Sequence, residues 1–138
     1  MLDAEPSPLR GSGRSQQEDS TLDIKVNTRV LNEKAQAVEV QGEIDVYTSP
    51  RVKETINELI EKGHYQLVIN LEGVRYIDST GLGVLIGALK KVREHNGRIL
   101  LVCTNPQIKK IFNITGLVKI FEIFKDEDEA LQILANAG

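Results

Sequence analysis

The chain is poor in the residues from which several kinds of functional site are built. It has one cysteine, Cys103, in 138 residues, which excludes an internal disulfide framework and a multi-cysteine metal centre. Tryptophan is absent and aromatics make up only 4% of the chain, so base-stacking platforms are not expected. A surplus of positive charge is missing too, since 17 basic against 20 acidic residues leave a net charge of −3. Docking on nucleic acid or an anionic lipid surface needs concentrated positive charge, so neither partner is expected. The longest uncharged apolar run, Gly81 to Leu89, falls far short of the ~20 residues of a membrane helix. Met1-Leu2-Asp3-Ala4-Glu5-Pro6 lacks the basic and then apolar stretches of a signal peptide. Hydrophobic residues make up 41% of the chain, enough for one core. We therefore expect one small soluble domain, cytoplasmic in location.

What is present is regular from about Leu22 onward. Before it, Pro6-Ser7-Pro8-Leu9-Arg10-Gly11-Ser12-Gly13-Arg14 offers turn formers and little to bury, so residues 1–21 are expected to form a disordered N-terminal tail. Ile24, Val26, Val30, Val38 and Val40 lie in β-prone stretches joined by the turn-like Asn32-Glu33-Lys34. Ser49-Pro50 reads as a helix start, with Ser49 as N-cap and Pro50 at the first helical position. Val52, Ile56, Leu59 and Ile60 then share a helical face as far as the stop at Gly63. Gln66–Leu71 and Arg98–Cys103 are continuous apolar strands of the kind covered on both faces. Helices are expected from Ser79 to Glu94, from Asn105-Pro106 to Phe112, and after the acidic Asp126-Glu127-Asp128-Glu129, with a short strand at Ile120–Phe124 between the last two. The alternation predicts an α/β domain with a mixed, partly parallel sheet.

The stretch from Val74 to Gly87 carries the information about function. Gly81-Leu82-Gly83 followed by Gly87 superficially resembles a dinucleotide fingerprint, but Ile86 occupies the third glycine position and no acidic residue ends the next strand. No Gly-Lys-Ser/Thr follows, which excludes a P-loop. Asp78-Ser79-Thr80-Gly81 is not a Gly-x-Ser-x-Gly nucleophile elbow, and neither His64 nor His95 is placed as a base for Ser79. Helix capping by Ser79 or Thr80 would itself explain a hydroxyl here. One feature goes further. Leu82, Leu85, Ile86, Leu89 and Val92 form the core-facing stripe, yet the opposite side carries Thr80, Val84 and Gly87 in place of charge. Either this start is buried on all sides or it offers a small apolar patch to a partner. Glycines at 83 and 87 would let another backbone approach, whether from the same domain or from another chain.

Gly42-Glu43-Ile44-Asp45, Asp78-Ser79-Thr80-Gly81-Leu82-Gly83 and Thr115-Gly116-Leu117, in this order and spacing, resemble the anti-sigma factor antagonists of the STAS domain superfamily. The resemblance implies a STAS domain over 22–138, with a mixed β-sheet of four to five strands packed with about four α-helices. It also implies a function. Such proteins bind an anti-sigma factor that is a serine kinase and so free the sigma factor. The kinase phosphorylates the antagonist and a serine phosphatase of the PP2C type reverses the modification. Carried onto this chain, the phosphorylation site is Ser79, with Thr80 the lesser candidate. The partner-binding set is Asp45, Asp78, Thr80, Gly81, Gly83, Val84 and Gly87. No catalytic residue, metal or cofactor is implied. The alternative is a STAS-type regulatory module that is never phosphorylated and binds another protein or a small ligand. If the strands that end near Asp45 and Asp78 are adjacent and parallel, both aspartates and Ser79 meet at one sheet edge. There, free N–H groups at the helix start would tolerate a phosphate.

Overall fold

The computed structural model describes residues 24–136, and the expected tail at 1–21 lies outside them. The elements are β1 (Ile24–Val30), β2 (Ala35–Ile44), α1 (Ser49–Glu61), β3 (Gln66–Ile77), α2 (Ser79–Arg93), β4 (Arg98–Val102), α3 (Pro106–Ile114), a 3-10 turn at Leu117–Lys119, β5 (Glu122–Phe124) and α4 (Glu127–Asn136). The five strands lie in chain order, β1 antiparallel to β2 and every later neighbour parallel. The α/β class and the mixed sheet are as the sequence pattern predicts.

Crossovers of one hand that always advance in the same direction put their helices on one face. Val52 and Ile56 of α1, Leu85 and Leu89 of α2, and Ile108 and Phe112 of α3 accordingly share a core with Val38, Leu67, Ile69, Ile99 and Leu101. The opposite phase of the strands, Val68, Leu100 and Val102, is covered by Ala130 and Leu134 of α4. With both faces covered, Leu67–Ile69 and Leu100–Leu101 are fully buried, which is why these strands read as continuous apolar runs. β1 and the short β5 are the two edges of this five-stranded sheet, and β1 carries Lys25 and Arg29, charges that discourage pairing with another chain. Among the described residues the order of strands never reverses, so these five strands form no switch-point crevice of the doubly wound kind.

Several boundaries differ from the sequence expectation: α3 runs on to Ile114 rather than ending at Phe112, β4 ends at Val102 rather than Cys103, and three further differences have a clear physical reason. β3 runs to Ile77 rather than stopping at Leu71, because bulges between Glu39 and Gln41 and between Gly42 and Glu43 keep β2 paired alongside it. Gly42 sits at φ +116°, a conformation that favours glycine. The N-cap of α1 is Thr48, not Ser49, and Ser49 is the first helical residue. The last strand starts at Glu122 rather than Ile120, the preceding residues being drawn into the 3-10 turn after Gly116.

Candidate functional site

The register of the two long parallel strands builds the site. Ile44 pairs with Ile77, so Asp45 and Asp78 leave neighbouring strands at the same level. The Asp78 N–H donates to the Ile44 carbonyl at 3.0 Å, tying the two exits together. Each aspartate then organises the start of a helix. Asp45 Oδ1 accepts from the Tyr47 and Thr48 N–H groups at 2.9 and 3.0 Å. The Thr48 hydroxyl accepts from the Asp45 N–H at 2.9 Å and donates to the Glu43 carbonyl at 2.7 Å. Asp78 is the N-cap of α2, its Oδ1 accepting from Thr80 and Gly81 N–H at 2.9 and 3.1 Å.

This assignment changes the reading of Ser79. Capping would explain a serine there, but the cap is Asp78. Ser79 stands at the first helical position, exposed, and its hydroxyl has no hydrogen-bond partner among the described residues. Thr80 beside it is also exposed. The sequence expectation of several free N–H groups at this helix start is corrected: those of Asp78, Thr80 and Gly81 are already bonded.

The remaining predicted residues divide into two sets. Thr80, Gly83, Val84 and Gly87 line one side of an open cleft of about 570 Å³ between α1 and α2. A Cβ built on Gly83 or Gly87 would meet nothing within 4 Å, so no neighbouring element of the described domain packs on these glycines. The uncharged helix start therefore presents a patch, and its buried side is the stripe of Leu82, Leu85 and Leu89. Gly81 does not belong to that surface. It is buried, and a Cβ there would come within 2.6 Å of Ile44 Cγ2 and 2.8 Å of Ile77 Cγ1. Its hydrogen is required for the close approach of α2 to the ends of β2 and β3.

Sequence reasoning missed part of the surroundings. Val46, Tyr47 and Tyr76 are 56%, 78% and 48% exposed, an apolar and aromatic fringe beside the two aspartates. Their signal was an absence of periodicity: Val46 and Tyr47 stand in a turn with no core phase to satisfy. Lys53 and Asn57 of α1 stand on the far side of the cleft, and Lys91 of α2 reaches across to Asn57.

No general base attends Ser79 among the described residues. His95 stacks on Tyr65 with ring centroids 4.1 Å apart. Tyr65 and His64 precede the start of β3 whereas Ser79 follows its end, about 40 Å of strand away. Cys103 is buried and its thiol pKa is pushed up by desolvation, which keeps it protonated and inert.

A family model for the STAS domain matches residues 23–130. The chain belongs to the STAS domain family. This STAS domain is 34% identical over 102 residues to an anti-sigma-B factor antagonist of Staphylococcus aureus, a match that covers 74% of this chain and 92% of that protein. It is 43% identical over 90 residues to the anti-sigma-B factor antagonist of Listeria monocytogenes, covering 65% and 79%. Among solved structures, an anti-sigma factor antagonist from Mycobacterium paratuberculosis superimposes with a TM-score of 0.73 at 28% identity, covering 80% of this chain and 92% of that one. The unphosphorylated form of the anti-sigma factor antagonist SpoIIAA shares the fold, with a TM-score of 0.71 at 21% identity over 81% and 97% of the two chains. No helix among the described residues of this STAS domain is long and apolar enough to cross a membrane.

Proposed function

We propose that this protein, with its STAS domain at 22–138, is an anti-sigma factor antagonist whose docking is switched by phosphorylation of Ser79. Unphosphorylated, it binds an anti-sigma factor that is a serine kinase and frees the sigma factor for transcription in the cytoplasm. The binding surface is the Asp45–Asp78 edge with Thr80, Gly83, Val84 and Gly87. That kinase transfers the γ-phosphoryl group of ATP to Ser79 Oγ, the hydroxyl proton leaving to the kinase's base and ADP departing. A PP2C-type serine phosphatase hydrolyses the ester and restores the hydroxyl. The protein itself performs no catalysis in this cycle.

One observation carries the reading: the Ser79 hydroxyl is exposed and unbonded, because Asp78 does the capping, and it is next in sequence to Thr80, which lines an apolar cleft. Phosphorylation adds about −1.5 to −2 charges. Three of the first N–H groups are engaged elsewhere and the Asp78 carboxylate is adjacent, so the phosphate oxygens remain hydrated. A partner closing on this surface must strip that hydration and face three negative groups, Asp45, Asp78 and phosphoserine. The cost is on the order of a few kcal/mol, and each 1.4 kcal/mol is about tenfold in affinity.

Intact-mass measurement after incubation with the partner kinase and ATP tests the assignment. Wild type gains one phosphate, whereas Ser79→Ala gains none and still binds the anti-sigma factor. A full phosphate on Ser79→Ala protein overturns the site.

A further inference from the structure

The cleft between α1 and α2 has the makings of a small-molecule site as well as of a protein contact. Its floor is apolar, formed by Ile56, Val84 and Ala88 with bare backbone at Gly83 and Gly87. At about 570 Å³ it falls within the size range of small-ligand pockets, which are concave, mostly apolar and supplied with a few convergent polar groups. Those groups are present. Ser49 lines the wall while being only 2% exposed, and its hydroxyl has no hydrogen-bond partner among the described residues. Buried hydroxyls almost always have a partner, so one without calls for a ligand or a water. Lys53 stands one helical turn further along the same face of α1, and it has no ion pair among the described residues. Lys91 rises from α2 opposite, donating to Asn57 Oδ1 at 2.9 Å. Both charged residues lining the cleft are therefore lysines, and none of the lining residues is acidic.

From this arrangement we propose that the cleft binds a small organic monoanion with an apolar body, an alkyl or aryl carboxylate. The carboxylate accepts hydrogen bonds from the Ser49 hydroxyl and the Lys53 ammonium at the start of α1. The apolar body lies along Val84 and Ala88, in the space that Gly83 and Gly87 leave open. Thr80, Gly83, Val84 and Gly87 would then serve both ligand and protein partner, so the two compete. The competition rests on the function proposed above; the binding itself does not.

Titrating the full chain with octanoate, below its micelle threshold, while following amide chemical shifts tests the proposal without kinase or partner. Saturable shifts at Ser49, Gly83 and Gly87 are expected. Octanol, which has a similar body and no charge, should bind about tenfold more weakly. Lys53→Ala should weaken octanoate by a similar factor, and Gly87→Leu, whose side chain fills the open space, should abolish binding. The site is overturned by no saturable shift, by octylammonium binding as well as octanoate, or by undiminished binding to folded Gly87→Leu and Lys53→Ala. Shifts centred on the exposed Ile114, Val118 and Ile120 instead also overturn it. A null result here leaves the Ser79 switch standing, because that is decided by the mass measurement.

Discussion

Ser49 and Ser79 occupy the same helical position, the first residue of helices that begin at the ends of adjacent parallel strands. Ser49 is buried and Ser79 is exposed. The residues between strand and helix account for the difference. Asp45–Thr48 separate Ile44 from α1, and this turn folds back so that the Ser49 N–H reaches the Asp45 carbonyl at 2.8 Å. The serine is drawn under the turn and against the cleft wall. Only Asp78 separates β3 from α2, and its carboxylate takes the next two free N–H groups itself. The serine that follows is relieved of capping and turned outward. Residue type and helical position are the same, so it is the connection length that separates a wall residue from a candidate switch.

The sharpest break of this contrast would be phosphate on the wrong serine. Peptide mapping after kinase treatment should find the modification on Ser79 and none on Ser49, a difference of all or nothing. Next in size is the effect on docking. Phosphorylated protein should bind the anti-sigma factor on the order of a hundredfold more weakly, and Ser79→Asp less so, since one carboxylate carries less charge than phosphate. Unchanged affinity by calorimetry for both would remove the electrostatic mechanism.

The glycines of α2 give the next test. Gly81→Ala drives a methyl into Ile44 and Ile77 and should cost about 1–3 kcal/mol in urea unfolding. Gly83→Ala and Gly87→Ala open onto free space and should each stabilise by up to ~1 kcal/mol through helix propensity. Val84→Lys should weaken the partner complex while shifting the melting temperature little, because Val84 is only partly buried. A large loss of stability would reassign it to the core.

The smallest effect belongs far from the site. Glu127 accepts hydrogen bonds from Arg29 at 2.6 Å and Asn70 at 2.8 Å, pinning α4 to the sheet. Arg29 first, then Asn70, holds its carboxyl below the ordinary value of 4.5. A depressed folded-state value adds stability that is fully present above the unfolded value and fades as pH falls through the folded one. Glu127→Gln should thus be slightly less stable than wild type at neutral pH, with the gap narrowing in acid. Phosphorylation of Ser79 in this variant should be unchanged.

Much of this architecture is legible in one dimension. The buried strands announce themselves as Leu67-Val68-Ile69 and Leu100-Leu101-Val102 because both faces are covered. Asn105-Pro106 marks the start of α3, with Asn105 accepting from the Gln107 N–H at 2.9 Å. Other features were hidden. After Leu71 the pattern Glu72-Gly73-Val74-Arg75-Tyr76-Ile77 loses alternation, so the second half of β3 is recognisable only beside its bulged neighbour. Gly81, Gly83 and Gly87 look alike along the chain, yet Ile44 and Ile77 crowd only the first.

The amino-acid order alone specifies the alternation of strands and helices and a hydroxyl-bearing helix start after Asp78, because hydrophobic periodicity and capping depend on neighbours a few residues away. It also carries the motif that marks a STAS domain. Folding decided that Asp45 and Asp78 share an edge, that Ser79 faces outward and Ser49 inward, and that two glycines border a cleft. Those outcomes depend on atoms brought together from β2, α1, β3 and α2, and no local pattern encodes what a side chain meets across a parallel sheet.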